Sequence, residues 1–280
     1  MIIDYDIRYA IHEDHYKQLD TEGLRKNFLI ETVFVADQVK LTYTHYERMI
    51  VGGIWPVTRA VALETIDSLK APYFLDRREM GAINIGGPGT VTVDGCVHSV
   101  GTKEAIYIGA GSREVVFESD DESQPAKFYV NSAPAHRSYP TKVVGQDDAD
   151  VLALGSTETS NKRVIRKLLV NSVIETCQLQ MGMTELLDGS VWNTMPAHIH
   201  DRRMEAYFYF NVPEEQAVCH FMGSERETRH LWVKNEQAVV SPPWSMHCGA
   251  GTASYIFIWG MAGENLDYDD MDKFTASEIL

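Results

Sequence analysis

Short runs of β-branched, aliphatic and aromatic residues follow one another closely along this chain. Gly, Asn, Asp and Pro separate them, and this punctuation limits the fold more than any other feature. Thr32 to Ala36, Ala82 to Ile85, Thr90 to Val93, Ala105 to Ile108, Val115 to Glu118 and Lys127 to Asn131 read as strands. So do Ile174 to Met181, Glu205 to Phe210, Ala217 to Met222, Gln237 to Val240 and Tyr255 to Gly260. Pieces this short bury their apolar faces only by layering, which predicts a sandwich or barrel. Helix signals are few: Thr21 to Leu29, with Thr21 as cap, and Val61 to Leu69.

A faint internal repeat recurs at about 125 residues. Asp76-Arg77-Arg78-Glu79 is echoed by Asp201-Arg202-Arg203-Met204-Glu205, Glu104 to Ile108 by Glu236 to Val240, and Ala126 to Ala133 by Ser254 to Met261. The repeat predicts an all-β chain of two barrels, residues 1–145 and 146–280, joined in the Asp-, Gly-, Thr- and Ser-rich stretch from Pro140 to Thr159. The halves differ in chemistry. The second carries the pair His198 and His200, one residue apart, with Glu205 five residues after the latter. The first has Tyr73, Phe74 and Leu75 in place of that pair, and Val115 or a neighbour in the place of His247.

On a strand, residues two apart face the same way, so His198 and His200 can grip one ion. Glu205 lies an odd number of residues from His200 and would face away on an unbroken strand, so Asp201-Arg202-Arg203 must turn or bulge. With His247, at the end of Ser241-Pro242-Pro243-Trp244-Ser245-Met246-His247, the set offers three imidazoles and one carboxylate. Such donors suit zinc, iron, manganese or nickel.

Composition narrows the partners. An apolar fraction of 44% and a charged fraction of 23% are ordinary for a globular protein. A net charge of -15 argues against binding nucleic-acid backbones. The most apolar run, Tyr255 to Met261, is too short for the roughly 20 residues that span a bilayer, so no membrane partner is expected. Met1 to Leu19 lacks the apolar core of a signal peptide, and Cys96, Cys177, Cys219 and Cys248 form no Cys-x-x-Cys pair. Free buried thiols and a cytoplasmic location are the expectation.

His-x-His-x4-Glu followed by Pro-x4-His resembles the two metal motifs of the cupin superfamily. Gly189 stands nine rather than six residues before His198, Trp244 replaces a usual Gly, and Gly251 a usual Asn; the four ligand positions are all filled. At the scale of the whole chain, Gly23-Leu24-Arg25, Val33 to Asp37, Ile50 to Ile54, Ile83 to Gly87, Ala133 to His136, Glu175 to Leu179, Trp192 to Pro196, Arg202 to Phe210, Asn235 to Val239 and Phe257 to Met261 are similar to the 5-keto-4-deoxyuronate isomerase family. That resemblance implies a bicupin with one divalent metal per subunit, zinc, held by His198, His200, Glu205 and His247, and a cytoplasmic homohexamer. It also implies a ketol isomerisation of 4-deoxy-L-threo-5-hexosulose uronate to 3-deoxy-D-glycero-2,5-hexodiulosonate in pectin degradation.

A small anionic keto-uronate needs a cation for its carboxylate, and Arg203, Lys167 and Arg163 are the candidates, with Tyr207 lining the pocket. The general base is open among an unligated carboxylate, a histidine such as His230, and a metal-bound hydroxide. The acidic turn Asp269-Asp270-Met271-Asp272 could shape the site or a subunit contact, with a solvated carboxy-terminal turn as the default expectation. The same ligands also suit an iron-dependent cupin oxygenase or a non-catalytic sugar-acid-binding cupin.

Overall fold

The computed structural model describes residues 3–264 and 268–280. It divides into two compact units. One comprises Met1–Arg8, Thr32–Asp150 and Leu168–Met181, and the other Tyr9–Glu31, Val151–Lys167 and Gly182–Leu280. The chain thus passes between them several times, where the repeat alone suggested a single crossing.

In the first unit one sheet runs Asp4–Arg8, Val39–Thr44, Ile50–Ile54, Phe128–Pro134, Arg78–Asn84, Ala105–Ile108, Lys142–Val144, among the described residues. A second sheet runs Val61–Ala62, Val115–Ser119, Gly89–Val93, Cys96–Val100. Alternation places Val91, Val93, Val115 and Phe117 inward from the smaller sheet, where they join Leu41, Ile54, Ile106 and Phe128 from the larger in one buried apolar cluster. Phe74, Leu75 and Val115, at the positions that echo the His198–His200 pair and His247, belong to this cluster, so the first interior is hydrocarbon.

The second unit repeats the plan. Its larger sheet runs Asp150–Leu154, Arg163–Leu169, Gln180–Leu186, Ile256–Gly263, Arg203–Phe210, Gln237–Ser241, Leu29–Ile30. The smaller runs Glu227–Val233, Val218–Ser224, His247–Gly251, Trp192–Ile199, Asp272–Phe274.

Several expectations fail for identifiable reasons. Val61 to Leu69 is not a helix, because Val61 pairs with Phe117 at the sheet edge and only Asp67–Leu69 makes a 3-10 turn. Thr32 to Ala36 has no strand ladder, only a bridge from Ala36 to Trp55. The helix over Thr21–Phe28 does form, but Asp20 caps it by accepting from the Gly23 amide. A short helix at Glu13–Tyr16 carries no apolar periodicity long enough to announce it. All four cysteines are free; Cys96, however, is exposed and Cys219 half-buried, because an edge hairpin and a solvent-facing sheet carry them.

Ile174 to Met181 becomes strand only from Gln180. The amides before it have another partner, the carboxylate of Glu79, which accepts from the backbone of Cys177, Gln178 and Leu179 at 2.8 Å each and from the Tyr107 hydroxyl at 2.7 Å. Glu79 is fully buried, so these bonds replace its lost hydration. Arg78 beside it donates to the Ser132 hydroxyl and to the carbonyls of Arg48 and Ser132. We expect Glu79→Ala to lower unfolding stability by about 3 kcal/mol or more, since it strands three amides, two buried and one partly buried. Glu79→Gln, which keeps an accepting oxygen, should lose clearly less, and urea titration of both variants checks the order.

Candidate active site

The donors converge in the second unit from both of its sheets. His198 lies near the end of Trp192–Ile199, directly opposite His247 on His247–Gly251, and His200 follows the strand. A turn at Asp201 and Arg202 then reverses the chain into Arg203–Phe210, bringing Glu205 back from the facing sheet. The turn expected from the odd spacing is present. One ligand atom from each of His198, His200, Glu205 and His247 can be chosen so that all lie within 4.8 Å of one another.

The hydrogen bonds show what this arrangement lacks. Nδ1 of His247 lies 3.3 Å from the Ser245 carbonyl, which only accepts, and 3.0 Å from the Ser241 hydroxyl. Nδ1 therefore carries the proton, and Nε2 presents a bare lone pair. That Nε2 is buried without a hydrogen-bond partner, yet lies 2.9 Å from Oε2 of Glu205. Two acceptors at this distance need a cation between or beside them. Burial, and then the neighbouring imidazoles of His247 and His200, push His198 well below its ordinary pKa, so it stays neutral with a lone pair to offer. Burial alone would raise Glu205, but the ring nitrogens of His247 at 2.9 Å and His200 at 3.0 Å hold it well below the usual carboxylate range. Three imidazoles and an ionised carboxylate fit one divalent metal ion.

A cavity of about 250 Å³ opens beside these donors. Its wall includes Thr194, Arg163, Tyr207, Phe257, Trp259 and Lys273, together with Arg203 and Tyr268 close to the donors. Of the candidate carboxylate anchors, Arg163 lines this space, with one Nη1 bond to the Asn161 carbonyl. Arg203 also borders it, but its buried guanidinium is turned to protein: Nη1 meets Asp270 at 2.7 Å, Nη2 donates to the Tyr268 carbonyl, and Nε donates to Nδ1 of His200 at 3.3 Å. Lys167 does not line the cavity; its ammonium sits 4.6 Å above the Tyr268 ring. Tyr207 does line it, with its hydroxyl 3.2 Å from that of Thr194.

Two further contributions come from the carboxy-terminal segment. Lys273 stands opposite His198 on the short strand Asp272–Phe274, which has no alternation to reveal it. The acidic turn is not simply solvated: Asp270 is paired with Arg203, while Asp269 and Met271 face the cavity. His230, by contrast, is exposed on Glu227–Val233 and does not line the cavity, so the base is not there.

Behind the cavity lies a polar cluster. Asn193 donates to the Tyr255 hydroxyl at 2.6 Å, and the Tyr209 hydroxyl bonds Nδ1 of His220 at 2.8 Å. Gly249 lets these groups meet, since a Cβ there would stand 2.8 Å from the Asn193 amide nitrogen and 3.2 Å from the Tyr209 hydroxyl.

Sequence comparison places the chain in a lineage. The KduI/IolB family profile matches residues 29–276. This chain belongs to the KduI/IolB family. Among its relatives, the 4-deoxy-L-threo-5-hexosulose-uronate ketol-isomerase of Formosa agariphila is 56% identical over 279 residues, spanning 100% of both chains. The protein of the same name from Bacteroides fragilis is 60% identical over 272 residues, 97% of each. Among solved structures, an IolB-like protein from Salmonella typhimurium LT2 superposes with a TM-score of 0.72 at 16% identity, over 90% of this chain and 99% of that one. Lactobacillus farciminis oxalate decarboxylase reaches 0.58 at 12% identity, over 81% and 79%. At such identities the likeness speaks for the fold, and the fold is that of a bicupin.

Burial pushes His220 down to about 3. It is neutral when folded but free to protonate when unfolded. Stability is therefore complete above the ordinary histidine pKa of about 6.5 and falls as the pH drops from there towards 3, by up to ~1.4 kcal/mol per pH unit. Between pH 6.5 and 4.5 we expect the wild type to lose about 2 kcal/mol more than His220→Phe, measured by urea denaturation at each pH.

Proposed function

We propose that this protein interconverts 4-deoxy-L-threo-5-hexosulose uronate and its ketose isomer, 3-deoxy-D-glycero-2,5-hexodiulosonate, as a ketol-isomerase of pectin-derived uronate breakdown. The observation that carries this reading is the full-length identity of 56–60% to relatives bearing the isomerase name. The converging donors beside a cavity of suitable size support it from the chemistry. We take the resident ion to be zinc, the assembly to be a homohexamer, and the location to be the cytoplasm. Among the described residues no helix is long and apolar enough to cross a membrane.

His198, His200, Glu205 and His247 would hold the ion. When bound, it supplies a Lewis acid that draws electron density from a substrate carbonyl and its neighbouring hydroxyl. The protein's own part is positioning. Arg163, with Lys273 at the rim, receives the substrate carboxylate. Arg203 packs beside His200 and, through Asp270 and the Tyr268 carbonyl, fixes the cavity wall. Phe257, Trp259 and Met261 exclude water from one side, which strengthens every electrostatic contact within.

Purified protein should consume the uronate without oxidant, with solvent deuterium entering the product carbon in heavy water. Chelation should lower the rate by at least about tenfold and Zn2+ should restore it, while His200→Ala loses both bound metal and about a hundredfold in kcat/KM. Tight uronate binding without turnover would instead mark a sugar-acid-binding cupin. Oxygen uptake dependent on Fe(II) would mark an oxygenase.

A further inference from the structure

Thr194 is a β-branched residue at a φ of +52°, a backbone region where such side chains are costly. The strand around it is irregular as well. Between the pairs Asn193 with Gly249 and His198 with His247, one strand advances five residues and its partner two. The extra residues break alternation at Thr194. Asn193 and Thr194 are adjacent, so on a regular strand they would face opposite ways. Here Asn193 bonds Tyr255 inside the barrel, and Thr194 bonds Tyr207, whose side chain shares the inner face with Glu205 and Tyr209. The distortion thus places a second polar side chain inside, and that side chain lines the cavity.

The phenol it meets has little freedom. The Tyr207 ring stacks on Phe257 at 5.2 Å and packs against His247 at 5.2 Å and His220 at 5.4 Å. In the 3.2 Å contact of Thr194 with Tyr207, one hydroxyl proton is shared, and the pair has a second proton to give. With the Thr194 hydroxyl donating, the Tyr207 proton is the one left for a ligand. Both residues border the same cavity as His198, His200 and Glu205, so a ligand held there can receive it.

We propose that the Tyr207 phenol is a catalytic hydrogen-bond donor to the substrate oxygen that gains negative charge during isomerisation, and that Thr194 is a positioning residue whose strained backbone exists to aim that phenol. The inference rests on the isomerase reading. A donor fixed in advance on a developing oxyanion stabilises the transition state more than the ground state, so its loss falls on kcat. Strain retained at one β-branched residue is explained by that use.

The test compares Tyr207→Phe, Thr194→Val, Thr194→Ser and Thr194→Gly with the wild type in uronate turnover, metal content and thermal unfolding. Tyr207→Phe should lower kcat about a hundredfold, with KM within about threefold and metal content unchanged. Thr194→Val should lower kcat about tenfold, and Thr194→Ser should recover most of that loss. Thr194→Gly should raise Tm by about 2–4 °C while lowering kcat like Thr194→Val. Full kcat in Tyr207→Phe, equal rates for the valine and serine variants, or a Tm that falls in Thr194→Gly without a change in kcat would overturn the inference and leave the isomerase reading standing. Absence of wild-type turnover would remove both.

Discussion

The ionised carboxylate of Glu205, buried among three imidazoles, is the interaction on which the second unit is organised. A charge taken out of water needs compensation within hydrogen-bonding distance. His200 supplies one bond, and His247 approaches without completing another because its proton is committed to Ser245 and Ser241. The imbalance is what a divalent cation corrects. Packing around the group follows from the same need: Arg203 braces His200 from outside, and Asp270 braces Arg203, so the carboxy-terminal turn becomes a wall of the site.

The first unit answers the same problem differently. In sheet register Glu79 faces Ala133 and Glu205 faces Met261, the equivalent places in the two repeats. Both carboxylates are buried, yet Glu79 is neutralised by three backbone amides and a phenol, with apolar side chains where the second barrel has imidazoles. One position thus anchors backbone in one barrel and joins a group of donors that fits a divalent metal in the other. The difference lies in what the neighbouring strands present to it.

Much of the site was legible from spacing. His198 and His200 announce themselves by the two-residue period, and the odd offset to Glu205 called for the turn found at Asp201 and Arg202. The strand runs and the duplication were legible for the same reason, since alternation and turn residues are local properties. Arg203 was legible as a cation beside the ligands but not in its use, because adjacency in sequence does not say which partners a guanidinium meets. Lys273 and the acidic turn left no periodic trace at all. Val61 to Leu69 read as helix because local propensity is weak against an edge pairing with Phe117.

By itself, then, the sequence determined the β-rich class, the twofold repeat and the identity of the converging donors, since each depends on residue type at short range. Tertiary structure alone decided which carboxylate would anchor backbone and which would face a cation, where the cavity opens, and that Thr194 turns inward against its own strand. Those outcomes depend on contacts between residues far apart in the chain, whose burial and hydrogen-bond partners exist only once the sheets have come together.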